Sequence, residues 1–132
     1  MGDGSLVMGQ TGFRELRDWQ LAKELAVAVS RLTEAGPPAR DFGLRDQIRR
    51  AAVSIPSNIA EGDERDTNKD SVRFLYIAKG SRAELRTQLE IARDVGSLSA
   101  ETHASLEPKC TELGRMLGAL IKARTAPVTH NP

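Results

Sequence analysis

Four stretches of the chain repeat apolar residues at intervals of three and four, and a breaker closes each stretch before the next begins. That interval gathers side chains onto one stripe of an α-helix, whereas a half-buried strand needs strict alternation. The first stretch runs from Phe13 to about Glu34 and carries Leu16, Trp19, Ala22, Leu25, Ala26, Val29 and Leu32. Gly36-Pro37-Pro38 ends it, because proline cannot donate to the helical ladder and pushes its predecessor out of helical space. A loop is predicted from there to about Asp41.

The second stretch opens at Asp41 or Phe42, carries Leu44, Ile48, Ala51, Ala52, Ile55 and Ile59, and is predicted to end at Gly62. Pro56 removes the bond to the Ala52 carbonyl. A bend and not a break is expected, since the periodicity continues through Ile59. In the third stretch Thr67 caps and Asp70 reaches back to it. Val72, Leu75, Ala78, Leu85, Leu89 and Ala92 then carry the stripe to Val95, about 28 residues or roughly 42 Å, with Gly96 as the C-terminal cap. Ser99 opens the fourth stretch, in which Leu106, Cys110, Leu113, Leu117, Leu120 and Ile121 lead to about Arg124. Pro108 is expected to move the true start of that helix later.

Four helices joined by short connections, with no strand signal, predict an all-α fold, an antiparallel up-down-up-down four-helix bundle. A chain of 132 residues holds one such domain. Its bounds are 13–125, between an N-terminal tail over 1–12, expected to be mobile, and a C-terminal tail over 126–132. No apolar run approaches the ~20 residues of a bilayer span, and Leu6 stands where a myristoylation signal needs Ser or Thr. A cytoplasmic protein without membrane contact is expected. The lone Cys110 fits a buried structural thiol in a reducing compartment. Aromatic residues make up only 4% of the chain, thin for a core that closes by itself, which predicts help from neighbouring chains.

Beside the apolar stripe of the second helix runs a polar one, Gln47, Arg50, Ser54, Asn58 and Glu61. It is offset by three residues, about 300° at ~100° per residue, so the two stripes occupy adjacent faces. Ser81, Glu84 and Gln88 offer a similar stripe on the third helix. These eight residues form a polar seam, read as inter-helix hydrogen bonds that fix register, a contact with another subunit, or a ligand or catalytic site. Arg45 and Arg49, with Lys69 and Arg73 at the start of the third helix, are candidates for contact with phosphate. Interleaved acids and a formal charge of +1 keep any such field local.

Metal chemistry finds little to work with. Two histidines and no Glu-x-x-His rule out a di-iron arrangement, and Glu15 and Asp18 form the one helical acid pair at a suitable spacing. No cofactor is expected. Arg124 and His130 have the spacing of some helical ribonucleases, but Pro127 falls between them.

The segment RRAAVSIPSNIAEG, Arg49 to Gly62, resembles the signature of the small bacterial four-helix-bundle proteins encoded within intervening sequences of large-subunit ribosomal RNA genes. Flanking pieces agree in order: Phe13-Arg14-Glu15-Leu16 with Trp19-Gln20, Gly43-Leu44 with Gln47-Ile48, Arg65, Phe74-Leu75 with Ile77-Ala78, Gly80-Ser81 with Glu84-Leu85, and Met116-Leu117. The resemblance covers about Phe13 to Arg124. It implies a left-handed bundle that assembles into a ring of five subunits, with no established catalytic activity. A looser similarity is to the accessory protein of diversity-generating retroelements, a basic ring of bundles that contacts reverse transcriptase and nucleic acid.

The expectation is therefore a non-enzymatic homo-oligomeric scaffold, a pentamer, that engages RNA, DNA or a nucleic-acid-handling protein through its ring surfaces. The alternatives are a nucleotide or RNA hydrolase built on Asn58, Glu61 and neighbouring arginines, or an orphan structural oligomer with a small-molecule pocket on the ring axis.

Overall fold

A computed structural model describes residues 12–126 of the chain. The 1–11 part of the expected N-terminal tail and 127–132 of the C-terminal tail lie outside the described residues. After a 3₁₀ turn over Gly12–Glu15 come α1 (Arg17–Leu32), the short α2 (Gly36–Arg40), α3 (Phe42–Asp63), α4 (Asn68–Asp94) and α5 (Ala100–Thr125). The described residues are all-helical. The four long helices form a bundle in which α3 packs on α1 and α4, and α5 packs on α4 and, over a shorter stretch, on α1.

Local chemistry sets most helix ends as the sequence predicts. Asp41 accepts from the Leu44 amide, Thr67 from the Asp70 amide at 3.2 Å and Ser99 from the Thr102 amide at 3.1 Å, each satisfying one of the orphan donors of a helix start. At the end of α4 the amides of Ser97 and Leu98 both return to the Ala92 carbonyl, and the turn passes through Gly96 at φ +83°, a conformation that favours glycine.

Three expectations are corrected. The predicted loop after α1 contains α2, because Pro37 and Pro38 occupy its first turn, where a missing N–H leaves no ladder bond unmade. Pro108 does not delay α5, which starts at Ala100 and continues through it. Gly62 does not end α3. It is buried one residue before the helix end, and a Cβ there would lie 2.9 Å from the Ser71 carbonyl and 3.2 Å from Phe74 Cβ. The glycine is needed for the close approach of α3 to α4. Gly12, assigned to the tail, begins the 3₁₀ turn, and α3 runs unbroken through Pro56.

The predicted stripes become the core: Ala22, Leu25 and Val29 from α1, Ile48, Ala52, Ile55 and Ile59 from α3, Leu75, Ala78, Leu85 and Leu89 from α4, and Leu106, Cys110, Leu113, Leu117 and Ile121 from α5. None of the five aromatic residues is in it. At one end of the bundle Arg124 donates to Ser71 Oγ and to Asp63 Oδ1 at 3.0 Å, tying the end of α5 to the end of α3 and the start of α4. Burial pushes the Cys110 thiol up to about 11. The thiolate is the reactive form, so iodoacetamide at about pH 8 is expected to leave native Cys110 unmodified and to alkylate it after urea unfolding. Rapid labelling of the native protein, followed by mass spectrometry, would contradict its placement in the core.

Candidate functional site: the groove between α3 and α4

Five of the eight seam residues meet on the surface. Gln47, Arg50 and Ser54 of α3, with Glu84 and Gln88 of α4, line an open groove of about 320 Å³. Beneath them Ser81 is buried, its Oγ 2.8 Å from Ser54 Oγ. Asn58 donates from Nδ2 to the Ser54 carbonyl at 2.8 Å and to Ser54 Oγ at 3.0 Å. This short chain of bonds fixes α3 against α4 where small side chains let them come close.

The rim is different. Among the described residues Gln47, Arg50 and Glu84 have no hydrogen-bond or ion-pair partner, and Gln88 Oε1 is buried with none. Val53, 55% exposed, is on the stripe of Arg50, and Ile77, 45% exposed, is two turns from Glu84 along α4. Glu61 does not join the groove: it is exposed and pairs with Arg65 at 3.0 Å.

The four basic candidates do not form one patch. Arg49 is turned inward onto the end of α1, donating from Nε to Thr33 Oγ1 at 2.7 Å and from Nη2 to the Ser30 carbonyl at 2.9 Å. A cation there satisfies carbonyls that the helix end leaves free. Arg45 is 4.9 Å from the Phe42 ring, pairs with Asp46 and donates to the Ala39 carbonyl. Lys69 and Arg73 are exposed at the start of α4, which meets α3 at Gly62. That point is thirteen residues along α3 from Arg49, about 20 Å. Arg73 and Arg65 flank the Phe74 ring, at 5.1 and 4.5 Å from its centroid. Of the ribonuclease-like pair, Arg124 is held by Asp63 and Ser71, and His130 lies outside the described residues.

A second groove, which the sequence does not single out, lies between α1 and α5. Arg17, Asp18, Glu112, Arg115, Met116, Ala119 and Leu120 line about 350 Å³ of it. Among the described residues Asp18 Oδ2 is buried without a hydrogen-bond partner, and desolvation raises the Asp18 carboxyl above its ordinary value against a hydrogen bond from its own backbone amide and the fields of Arg124, Arg115 and Arg17. Arg115 itself is engaged by both Glu112 oxygens. Among the described residues no three His, Cys, Asp or Glu side chains group as a metal site, and no helix is long and apolar enough to cross a membrane.

A family model described as 23S rRNA-intervening sequence protein matches residues 14–119. The chain belongs to that family. A solved structure similar to this intervening-sequence protein is a crystal structure of a protein with unknown function from the S23 ribosomal protein family of Bacteroides thetaiotaomicron. The TM-score is 0.74 at 25% identity, over 80% of this chain and 98% of that one. No curated protein matches. The part of this intervening-sequence protein that the family model matches includes the α3–α4 groove, the Asn58–Ser54–Ser81 bonds and all of the α1–α5 groove but Leu120, and it stops short of Arg124.

Proposed function

We propose that this intervening-sequence protein is a non-enzymatic scaffold that assembles with copies of itself, its α3–α4 face turned toward a neighbouring copy. One observation carries the reading: among the described residues the groove rim presents Arg50, Glu84 and Gln47 without internal partners beside exposed Val53 and Ile77. Unpaired polar groups flanked by apolar side chains suit a surface that another protein covers. The absence of aromatic residues from the core points the same way, because a small domain with a modest core gains stability from burial between subunits.

The up-down-up-down arrangement belongs to the same proposal and draws on register. Ser54 meets Ser81 while Gly62 meets Ser71, and Arg93 reaches His103 while Arg86 pairs with Glu107 and Arg124 reaches Ser71. In each pair of helices, partners later in one helix are earlier in the next, as antiparallel neighbours require. Hydrolysis has less support, since Asn58 is committed to Ser54 and Glu61 to Arg65. Contact with nucleic acid narrows to Lys69 and Arg73.

The test is the double variant Val53→Glu with Ile77→Glu. Light scattering is expected to show wild-type mass at a multiple of 14.4 kDa and the variant falling to that of one chain with unchanged helical circular dichroism. A folded variant that assembles as the wild type does would overturn the proposal.

A further inference from the structure

We propose that the copies join head to tail, the α3–α4 groove of one against the α1–α5 groove of the next, with Arg50 reaching the Asp18 carboxylate and Glu84 facing Arg17. This rests on the self-assembly proposed above and names the two surfaces that meet.

One oxygen of the Asp18 carboxylate is unmet among the described residues. Asp18 Oδ2 is out of contact with solvent yet accepts no hydrogen bond, an arrangement that costs stability until a donor arrives. The surrounding cations do not supply one: Arg115 is forked on Glu112, Arg124 is bound to Asp63 and Ser71, and no hydrogen bond joins Arg17 to Asp18. The groove beside Asp18 is open and has an apolar side formed by Met116, Ala119 and Leu120. It therefore suits a cation carried among apolar side chains. The α3–α4 face carries that combination, an Arg50 unpaired among the described residues with exposed Val53 one turn away.

The match also works in reverse. Among the described residues Glu84 across the α3–α4 groove has no ion-paired cation, and Arg17 beside Asp18 has no hydrogen-bonded acid. One face thus offers a cation and an acid where the other offers an acid and a cation, so a single docking satisfies both signs. A two-fold contact of the α3–α4 face with itself could pair Arg50 with Glu84 but would leave Asp18 unmet in every copy. Joining two different faces is heterologous, and such a contact closes into a ring or runs on as a filament according to the rotation at each step.

Charge reversal tests the pairing. Arg50→Asp changes an exposed side chain and is expected to weaken association at least tenfold, the lower end of what close interfacial charge pairs contribute. Asp18→Arg is expected to do the same, and the two together to return association to near the wild-type value, all read by sedimentation velocity with circular dichroism as the check on folding. Asp18→Asn, which adds no bulk or charge, covers the case in which Asp18→Arg does not fold, and it is expected to weaken association as well. Recovery in the double variant supports the pairing. Single variants that assemble like the wild type, an effect of Arg50→Asp without one of Asp18→Asn, or a folded double variant that stays dispersed would each overturn it while leaving self-assembly in place. A monomeric wild type would instead remove the proposal on which it rests.

Discussion

Ile55→Ala is expected to lower the free energy of unfolding by about 2–5 kcal/mol, the range for removing a large aliphatic side chain from a packed core. Ile55 has no exposed surface and lies among Ile48, Ala52 and Ile59 of α3 and the facing stripes of the other helices. The next residue is Pro56, which withholds a backbone donor from the Ala52 carbonyl. With one ladder bond already missing, α3 relies on side-chain packing at this turn, and collapse around an alanine would have to move a rigid proline. Urea denaturation should show a lower midpoint with an unchanged slope. A loss below about 1 kcal/mol, outside that range, would mean that Ile55 is not packed as described.

Gly62→Val is expected to cost about 1–3 kcal/mol or more, by the opposite mechanism of overpacking. The added Cβ would stand 2.9 Å from the Ser71 carbonyl, a backbone atom that cannot swing aside, and 3.2 Å from Phe74 Cβ, before either methyl branch is counted. Spreading α3 from α4 there would also strain the contacts of Arg124 with Asp63 and Ser71. Gly118→Ala is the control, because a Cβ at Gly118 meets nothing within 4 Å. In the interior of α5 that change is expected to stabilise by up to about 1 kcal/mol. Thermal unfolding of both variants checks the contrast, and a neutral Gly62→Val would contradict the close approach.

How legible this molecule is from its sequence depends on the distance over which each feature is decided. Helix stripes and N-terminal caps are local, so Leu25, Ile55, Leu85 and Leu113 could be placed in the core, and Thr67 and Ser99 at caps, from spacing alone. The polar stripe of Gln47, Arg50 and Ser54 was legible for the same reason, as was its counterpart at Ser81, Glu84 and Gln88. Proline misleads in both directions, since its effect depends on its position within a turn: Pro37 and Pro38 begin α2 where a loop was expected, and Pro108 sits inside α5. Gly62 resembles a helix stop in one dimension and is a contact point in three.

The basic candidates show the limit most plainly. Arg45, Arg49, Lys69 and Arg73 carry the same charge in the sequence, but only the packing of α1 on α3 turns Arg49 onto the Ser30 carbonyl and separates the pairs along α3. Asp18 was legible only as half of an acid pair with Glu15. Its unmet oxygen is a product of tertiary packing, and no local pattern announces that.

As proposed, this helical bundle is a subunit of a larger assembly. Light scattering coupled to size exclusion, with the unmodified chain from about 1 to about 100 μM, tests it most directly. The expected mass is several times 14.4 kDa at the upper concentrations; a mass of 14.4 kDa throughout would overturn the assembly.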